Sequence, residues 1–370
     1  MTTRVFAPGR SVLTSASRSS PTCSFAREGP KILIIALCSI AASTAFGQTK
    51  APAREWTPPK TVWGDPDLEG VWTSDDSYGV PFERPKRYDD RKVLTDEEYA
   101  ERAKENELLS ASIQAGVFPN VGYWVQHEGV EAQPYGSNWS EYARRTSRQT
   151  SLIVDPGNGH IPALTEQAMY RRLAEIAASR KRPRPESWED ISMYGRCITR
   201  GVLGSMLPVM YGNGTEIVQS PGLVAIRYEM IHETRIIPLD PANDPRPHVS
   251  ANVRTYMGDP RGHWEGNTLV VDTTNFIGGR LGIGANGEGV KYSEDLHLVE
   301  RFTRVNDRAI QYQVFVNDPR TFTASWTLAF PITREPGYRI FEYACHEGNY
   351  AMSNILSSAR AEEQAEAAQR

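Results

Sequence analysis

Beyond residue 188 the chain is dominated by short runs in which apolar and polar positions alternate: residues 216–219, 223–232, 234–239, 268–273, 297–305, 309–317, 322–330 and 338–343, each bounded by Gly, Pro, Asn or Asp. A period of two is what a strand with one buried face requires. Short strands in series with brief turns predict an antiparallel meander. Such a meander packs as a sandwich or closes on itself, and a lipocalin-like (calycin) barrel, which leaves no exposed strand edge, is the expected fold.

The first half reads differently. Residues 51–88 are rich in Pro, Trp, Gly and Asp, as in Trp63-Gly-Asp-Pro-Asp-Leu-Glu-Gly-Val-Trp72, and suit an irregular arm held on the main body by its aromatic rings. Thr95-Asp-Glu-Glu and Thr165-Glu-Gln-Ala are helix starts, followed by good helix formers to positions 112 and 179. Lys181-Arg-Pro-Arg-Pro-Glu186 breaks any helix, so residues 181–187 read as a linker between an arm with helices, 48–180, and a barrel domain, 188–352. Residues 353–370, rich in Ala and Glu, read as a C-terminal helix.

The N-terminal 47 residues stand outside this pattern. Lys31 precedes the apolar run Ile32 to Ala42, which is too short for the roughly 20 residues of a membrane span, and Ala45-x-Gly47 offers a small-x-small cleavage site before Gln48. Residues 1–47 are therefore read as a signal peptide with an N-terminal extension, and the mature chain as periplasmic or secreted without a stable membrane anchor. Cys38 suggests a lipoprotein instead, but Leu37 fills the preceding position where a small residue is needed. Removing Arg4, Arg10, Arg18, Arg27, Lys31 and Glu28, a net of +4, takes the chain from −4 to −8. That charge argues against a nucleic-acid partner. The cysteines left, Cys197 and Cys345, are candidates for one disulfide in an oxidising compartment; the alternative is two separate buried thiols.

Familiar catalytic signatures fail on inspection. Gly282-Ile-Gly-Ala-Asn-Gly287 spells a dinucleotide fingerprint, yet a strand pattern follows where a helix N-terminus is needed, so the segment reads as a mobile glycine loop at a barrel mouth. His346-Glu347 has Tyr350 where a zinc protease needs its second histidine. Three other clusters carry chemistry. Val224, Ile226, Tyr228, Met230 and His232 fall on one strand face, which would aim His232 inward beside Glu233 and Arg235, a set able to move a proton and hold a carboxylate; a core histidine bonded to one carbonyl is the plainer alternative. Arg261, His263 and Trp264 precede a Glu-Gly-Asn turn and are candidate cavity-lining groups, though the turn alone explains much of that segment. Cys345-His346-Glu347-Gly-Asn-Tyr350 crowds donors and acceptors just after the last expected strand, either as part of a site or as a polar knot held by the disulfide.

Five segments together, Trp188-Glu-Asp-Ile-Ser, Arg196-Cys-Ile-Thr-Arg-Gly201, Glu229-Met-Ile-His-Glu-Thr-Arg-Ile-Ile-Pro-Leu-Asp240, Gly258 to Phe276 and Tyr343-Ala-Cys-His-Glu-Gly-Asn-Tyr350, resemble a widespread family of exported bacterial hypothetical proteins. That resemblance implies export and no activity. A fainter likeness, of architecture and residue kind, is to the calycin-barrel phenolic acid decarboxylases, which work without a cofactor through Tyr, Arg and Glu in an apolar cavity.

The reading that follows is a cofactor-free lyase or decarboxylase for an apolar, aromatic carboxylate. His232, Glu233, Arg235, His346 and Glu347 form the catalytic set, and Tyr228, Arg261, His263, Trp264 and Tyr350 contact the substrate. The alternatives are a lipocalin-like binding protein for small apolar ligands, and a metal-dependent hydrolase, which requires His232, His263, His297 and His346 to converge.

Overall fold

The computed structural model describes residues 56–115, 143–182, 184–241, 246–335 and 337–369. The expected signal peptide and its extension lie outside the described residues. Residues 55–370 form one compact unit.

In chain order the elements are β1 (Gly70–Thr73), α1 (Asp96–Gln114), β2 (Ile153–Asp155), α2 (Glu166–Lys181), α3 (Gly201–Met206), β3 (Gly214–Ser220), β4 (Leu223–Tyr228), β5 (Thr234–Pro238), β6 (Asp259–Glu265), β7 (Thr268–Thr274), β8 (Gly282–Ile283), β9 (Val290–Lys291), β10 (His297–Asn306), β11 (Ala309–Asn317), β12 (Trp326–Thr333) and α4 (Tyr350–Ala368). Ten strands make one antiparallel sheet in the order β5-β4-β3-β1-β12-β11-β10-β7-β6, with β2 also paired to β12, while β8 and β9 form a separate hairpin. The stretch expected to be an arm with helices, 48–180, thus supplies β1 and β2 to the sheet.

Alternation in the sequence becomes the two faces of this sheet. Leu298, Glu300, Phe302 and Arg304 of β10 and Ile310, Tyr312, Val314 and Val316 of β11 are buried while their neighbours are more exposed. Register sets Phe302 opposite Tyr312, with ring centroids 5.0 Å apart, and Phe330 stacks edge-on to Tyr312 at 5.3 Å. The same core takes in Ile226 and Ile237 from the far end of the strand order, so the sheet is strongly curled.

Curling stops short of the closed barrel expected from the meander. Among the described residues the edge strands β5 and β6 form no ladder; the chain joins them by one parallel bridge, Leu239 to Gly262, where the Asp240 N–H donates to the Gly262 carbonyl at 2.7 Å. Both edge strands carry a proline, Pro238 and Pro260, and a residue without an N–H cannot extend a ladder. Along the rest of this seam the tie is made by side chains: Arg235 of β5 reaches across to Thr273 of β7 at 2.7 Å and Glu300 of β10 at 2.5 Å.

Two helix starts behave as their sequences ask. The Thr95 hydroxyl accepts from the Glu98 N–H and the Glu98 carboxylate accepts from the Thr95 N–H, at 3.2 and 2.8 Å, and the Thr165 hydroxyl accepts from the Ala168 N–H at 3.1 Å. Residues 338–343, expected as a strand, are not one: the Tyr338 hydroxyl and the Phe341 N–H both donate to the buried Glu229 carboxylate, at 2.7 and 3.3 Å, and no ladder forms. The 282–287 stretch is no open loop either. It begins as β8 and packs on α3 so closely that a Cβ on Gly204 would stand 2.3 Å from the Gly287 nitrogen.

Candidate functional site

The residues singled out in the sequence fall into three places. Tyr228, Glu233 and Arg235 face the interior at the open part of the β5–β6 seam. His232, His346, Glu347, Tyr350 and the two cysteines gather in a knot outside it. Arg261 and His263 lie on the outer face of β6, while Trp264 packs against the core.

The turn between β4 and β5 makes this division. The expectation that His232 continues the inward face of β4 is incorrect: β4 ends at Tyr228, residues Met230–His232 form a 3-10 turn, and Ile231 and His232 have φ of 65° and 47°. Left-handed backbone is costly for any side chain and most for a β-branched one, so periodicity does not foretell it. The turn is held by the Tyr228 N–H on the Glu233 carbonyl at 2.9 Å and the His232 N–H on the Glu229 carbonyl at 3.1 Å. It swings His232 out to the surface and leaves Glu233 on the face it shares with Arg235 and Ile237.

At the seam Glu233 is the outermost polar group. Its carboxylate accepts from the Thr199 hydroxyl at 2.7 Å and from the Arg200 N–H; the same hydroxyl is 3.8 Å from Met257 Sδ, and the Tyr292 phenol lies close enough to feel the Glu233 charge. Burial pushes its pKa above the usual carboxylate range, against the pull of those two donors. The Tyr292 phenol is raised as well, first by burial and then by Glu233.

One step deeper, Arg235 and Glu300 form a fully buried ion pair, with side chains 1% and 0% exposed. The Tyr312 hydroxyl donates to the other Glu300 oxygen at 3.0 Å, and the Tyr228 hydroxyl faces the same guanidinium. Burial works against the Arg235 charge, but Glu300, with Tyr228 and Tyr312, more than offsets it and holds the guanidinium above its ordinary value. Burial raises both phenols. Arg235 is therefore committed to Glu300 and Thr273 rather than open to a carboxylate ligand, which corrects the role expected for it.

In the outer knot Cys197 and Cys345 lie at disulfide distance, with Cα atoms 5.8 Å apart. His232 Nδ1 is 2.9 Å from the Tyr343 carbonyl, and the His232 and His346 ring centroids are 6.2 Å apart. Both histidines are exposed, as are Glu347 and Tyr350. His263 pairs with Glu265 at 3.3 Å and His297 with Asp272 at 2.8 Å, so the four histidines of the hydrolase alternative do not converge. Arg261 is held by Asp259 at 3.3 Å.

Sequence reading missed Glu300, Tyr312 and Thr199. Glu300 did leave a signal, since it is the charge on the apolar face of an alternating strand, between Leu298 and Phe302. A cavity of about 320 Å³ opens elsewhere, among Thr73, Asp76, Arg144, Arg334 and Glu335, and is lined by none of the residues expected from the sequence.

No family model, curated protein or solved structure matches the chain.

Proposed function

We propose that the chain is an exported, cofactor-free lyase acting on an apolar, aromatic carboxylate, with Glu233 as the group that moves the proton. The observation that carries this reading is the half-buried Glu233 carboxyl, its pKa raised by burial, at the open seam of a curled sheet and above the Tyr228–Arg235–Glu300–Tyr312 chain. A carboxyl shifted toward neutrality can give and take a proton near physiological pH. In a decarboxylation the bond to the carboxyl carbon breaks, CO2 leaves, and the electron pair left on carbon takes the Glu233 proton, which water replaces.

Tyr256, Met257 and Tyr292 supply apolar and aromatic surface beside that carboxyl. Arg235 acts from beneath as one half of a neutral pair, and His232 and His346 take no part in the chemistry. Export is supported by the Cys197–Cys345 pair, which forms where thiols oxidise.

A binding protein is the second reading, favoured by one observation: the Arg235 guanidinium is held by Glu300 and Thr273 rather than turned toward a ligand. The two are separated by incubating purified protein with a panel of aromatic and unsaturated carboxylic acids and weighing the products. Turnover by the wild type that is lost in Glu233→Gln, with ligand binding retained, is the expected result. Wild-type protein that binds acids and returns every one unchanged refutes the lyase and leaves the binder.

A further inference from the structure

The connection from β5 to β6 carries an imidazole whose two nitrogens both face carboxylates. His248 Nδ1 lies 3.0 Å from an Asp259 oxygen and Nε2 lies 2.9 Å from an Asp272 oxygen. An ionised carboxylate only accepts, so both contacts are hydrogen bonds when both ring nitrogens carry hydrogen; a neutral ring has one N–H and turns a lone pair on the other carboxylate.

The groups facing His248 are Asp259 and Arg261 from β6, Asp272 from β7 and, across Asp272, His297 from β10. The Val249 N–H donates to the same Asp259 oxygen as His248, at 3.0 Å, and Asn275 Nδ2 lies within 3.1 Å of the carbonyls of Val249, Ser250 and Val253. Farther along, this connection presents Tyr256 and Met257 to the seam, where Met257 Sδ is 3.8 Å from the Thr199 hydroxyl that serves Glu233.

We propose that residues 246–258 form a pH-sensitive lid over the Glu233 site, latched while His248 bridges Asp259 and Asp272 as a cation and released when it loses a proton. The inference rests on the proposed function for what the lid covers, though not for its motion. His297 strengthens the dependence: its hydrogen bond to Asp272 raises its pKa, and Asp272 is lowered, the effect of burial being outweighed by His297 and His248 together. His297, held above its ordinary value, stabilises this arrangement at low pH and ceases to do so as the pH rises through the raised value. Because both His248 contacts are hydrogen bonds only when both ring nitrogens carry hydrogen, latching belongs to the acidic side and release to the alkaline side.

Hydrogen exchange of the full mature chain, read by mass spectrometry at pH 5.5 and 8.5 and corrected for intrinsic rates, tests this without any substrate. Protection of the peptide spanning 246–258 is expected to fall about tenfold at the higher pH while peptides of β10 and β11 stay unchanged. In His248→Gln the segment is expected to exchange at the same corrected rate at both pH values. Wild-type protection that is equal at both, or His248→Gln that keeps the full difference, overturns the lid. If His248→Gln fails to fold, as its β10 and β11 peptides would reveal, the wild-type comparison and Asp272→Asn, expected to shrink the difference, still decide. Turnover without pH-dependent protection refutes the lid alone; pH-dependent protection without turnover refutes the lyase alone.

Discussion

Replacing Glu300 by Leu should cost about 3–5 kcal/mol, because it leaves the Arg235 charge buried and uncompensated. The geometry sets the figure: Nη2 loses a carboxylate oxygen 2.5 Å away, the guanidinium keeps neutral hydroxyls such as that of Thr273 at 2.7 Å but no counter-charge, and its side chain is 1% exposed. The Tyr312 hydroxyl loses its acceptor as well. Against a net stability of about 5–15 kcal/mol the loss is large. The double variant Arg235→Met/Glu300→Leu removes both charges and should be more stable than either single variant, a coupling of about 3 kcal/mol, because the cost lies in the orphaned charge more than in the absent attraction. Urea unfolding of oxidised protein followed by tryptophan fluorescence measures each corner of the cycle. Additive single costs, or Glu300→Leu within about 1 kcal/mol of wild type at unchanged m, refute the reasoning.

Three further outcomes are expected. Reducing the Cys197–Cys345 bridge, which spans 148 residues, should lower stability by about 5 kcal/mol in the chain-entropy account, seen as a drop in Tm with reductant; two titratable thiols in unreduced, denatured protein would contradict the bridge. Glu233→Gln should stabilise the fold at neutral pH and lose that advantage on acidification: the raised pKa means the folded state binds the proton more tightly, so the wild-type residue's contribution worsens as pH rises through and above the unfolded value near 4.3, and parallel pH-stability curves for the two proteins would exclude this. Gly204→Ala should cost about 1–3 kcal/mol because the new methyl meets backbone, not a movable side chain, and a neutral effect on thermal unfolding would argue against the close packing of α3 on residues 284–287.

Most strands of the sheet were legible in the sequence because alternation is local and is written residue by residue, as in β10 and β11. So were the caps of α1 and α2, a Ser/Thr hydroxyl and a backbone N–H three residues on. The expected closed barrel took no account of the prolines at 238 and 260, which the fold places on the edge strands β5 and β6. Compartment and count pointed to the cysteine pair, and the fold places its Cα atoms at 5.8 Å. Of the candidate site, Tyr228, Glu233 and Arg235 could be named together because they are close in the chain. What only the tertiary structure decided is which way they face and whom they meet. The left-handed turn at Ile231 and His232 reverses the expected face of a histidine, and such backbone is imposed by the packing around it rather than by a β-branched residue's own preference. Glu300 meets Arg235 from 65 positions away because the sheet curls its two ends together, and the curl sums small twists over many strands, none of which carries a sequence signature of its own.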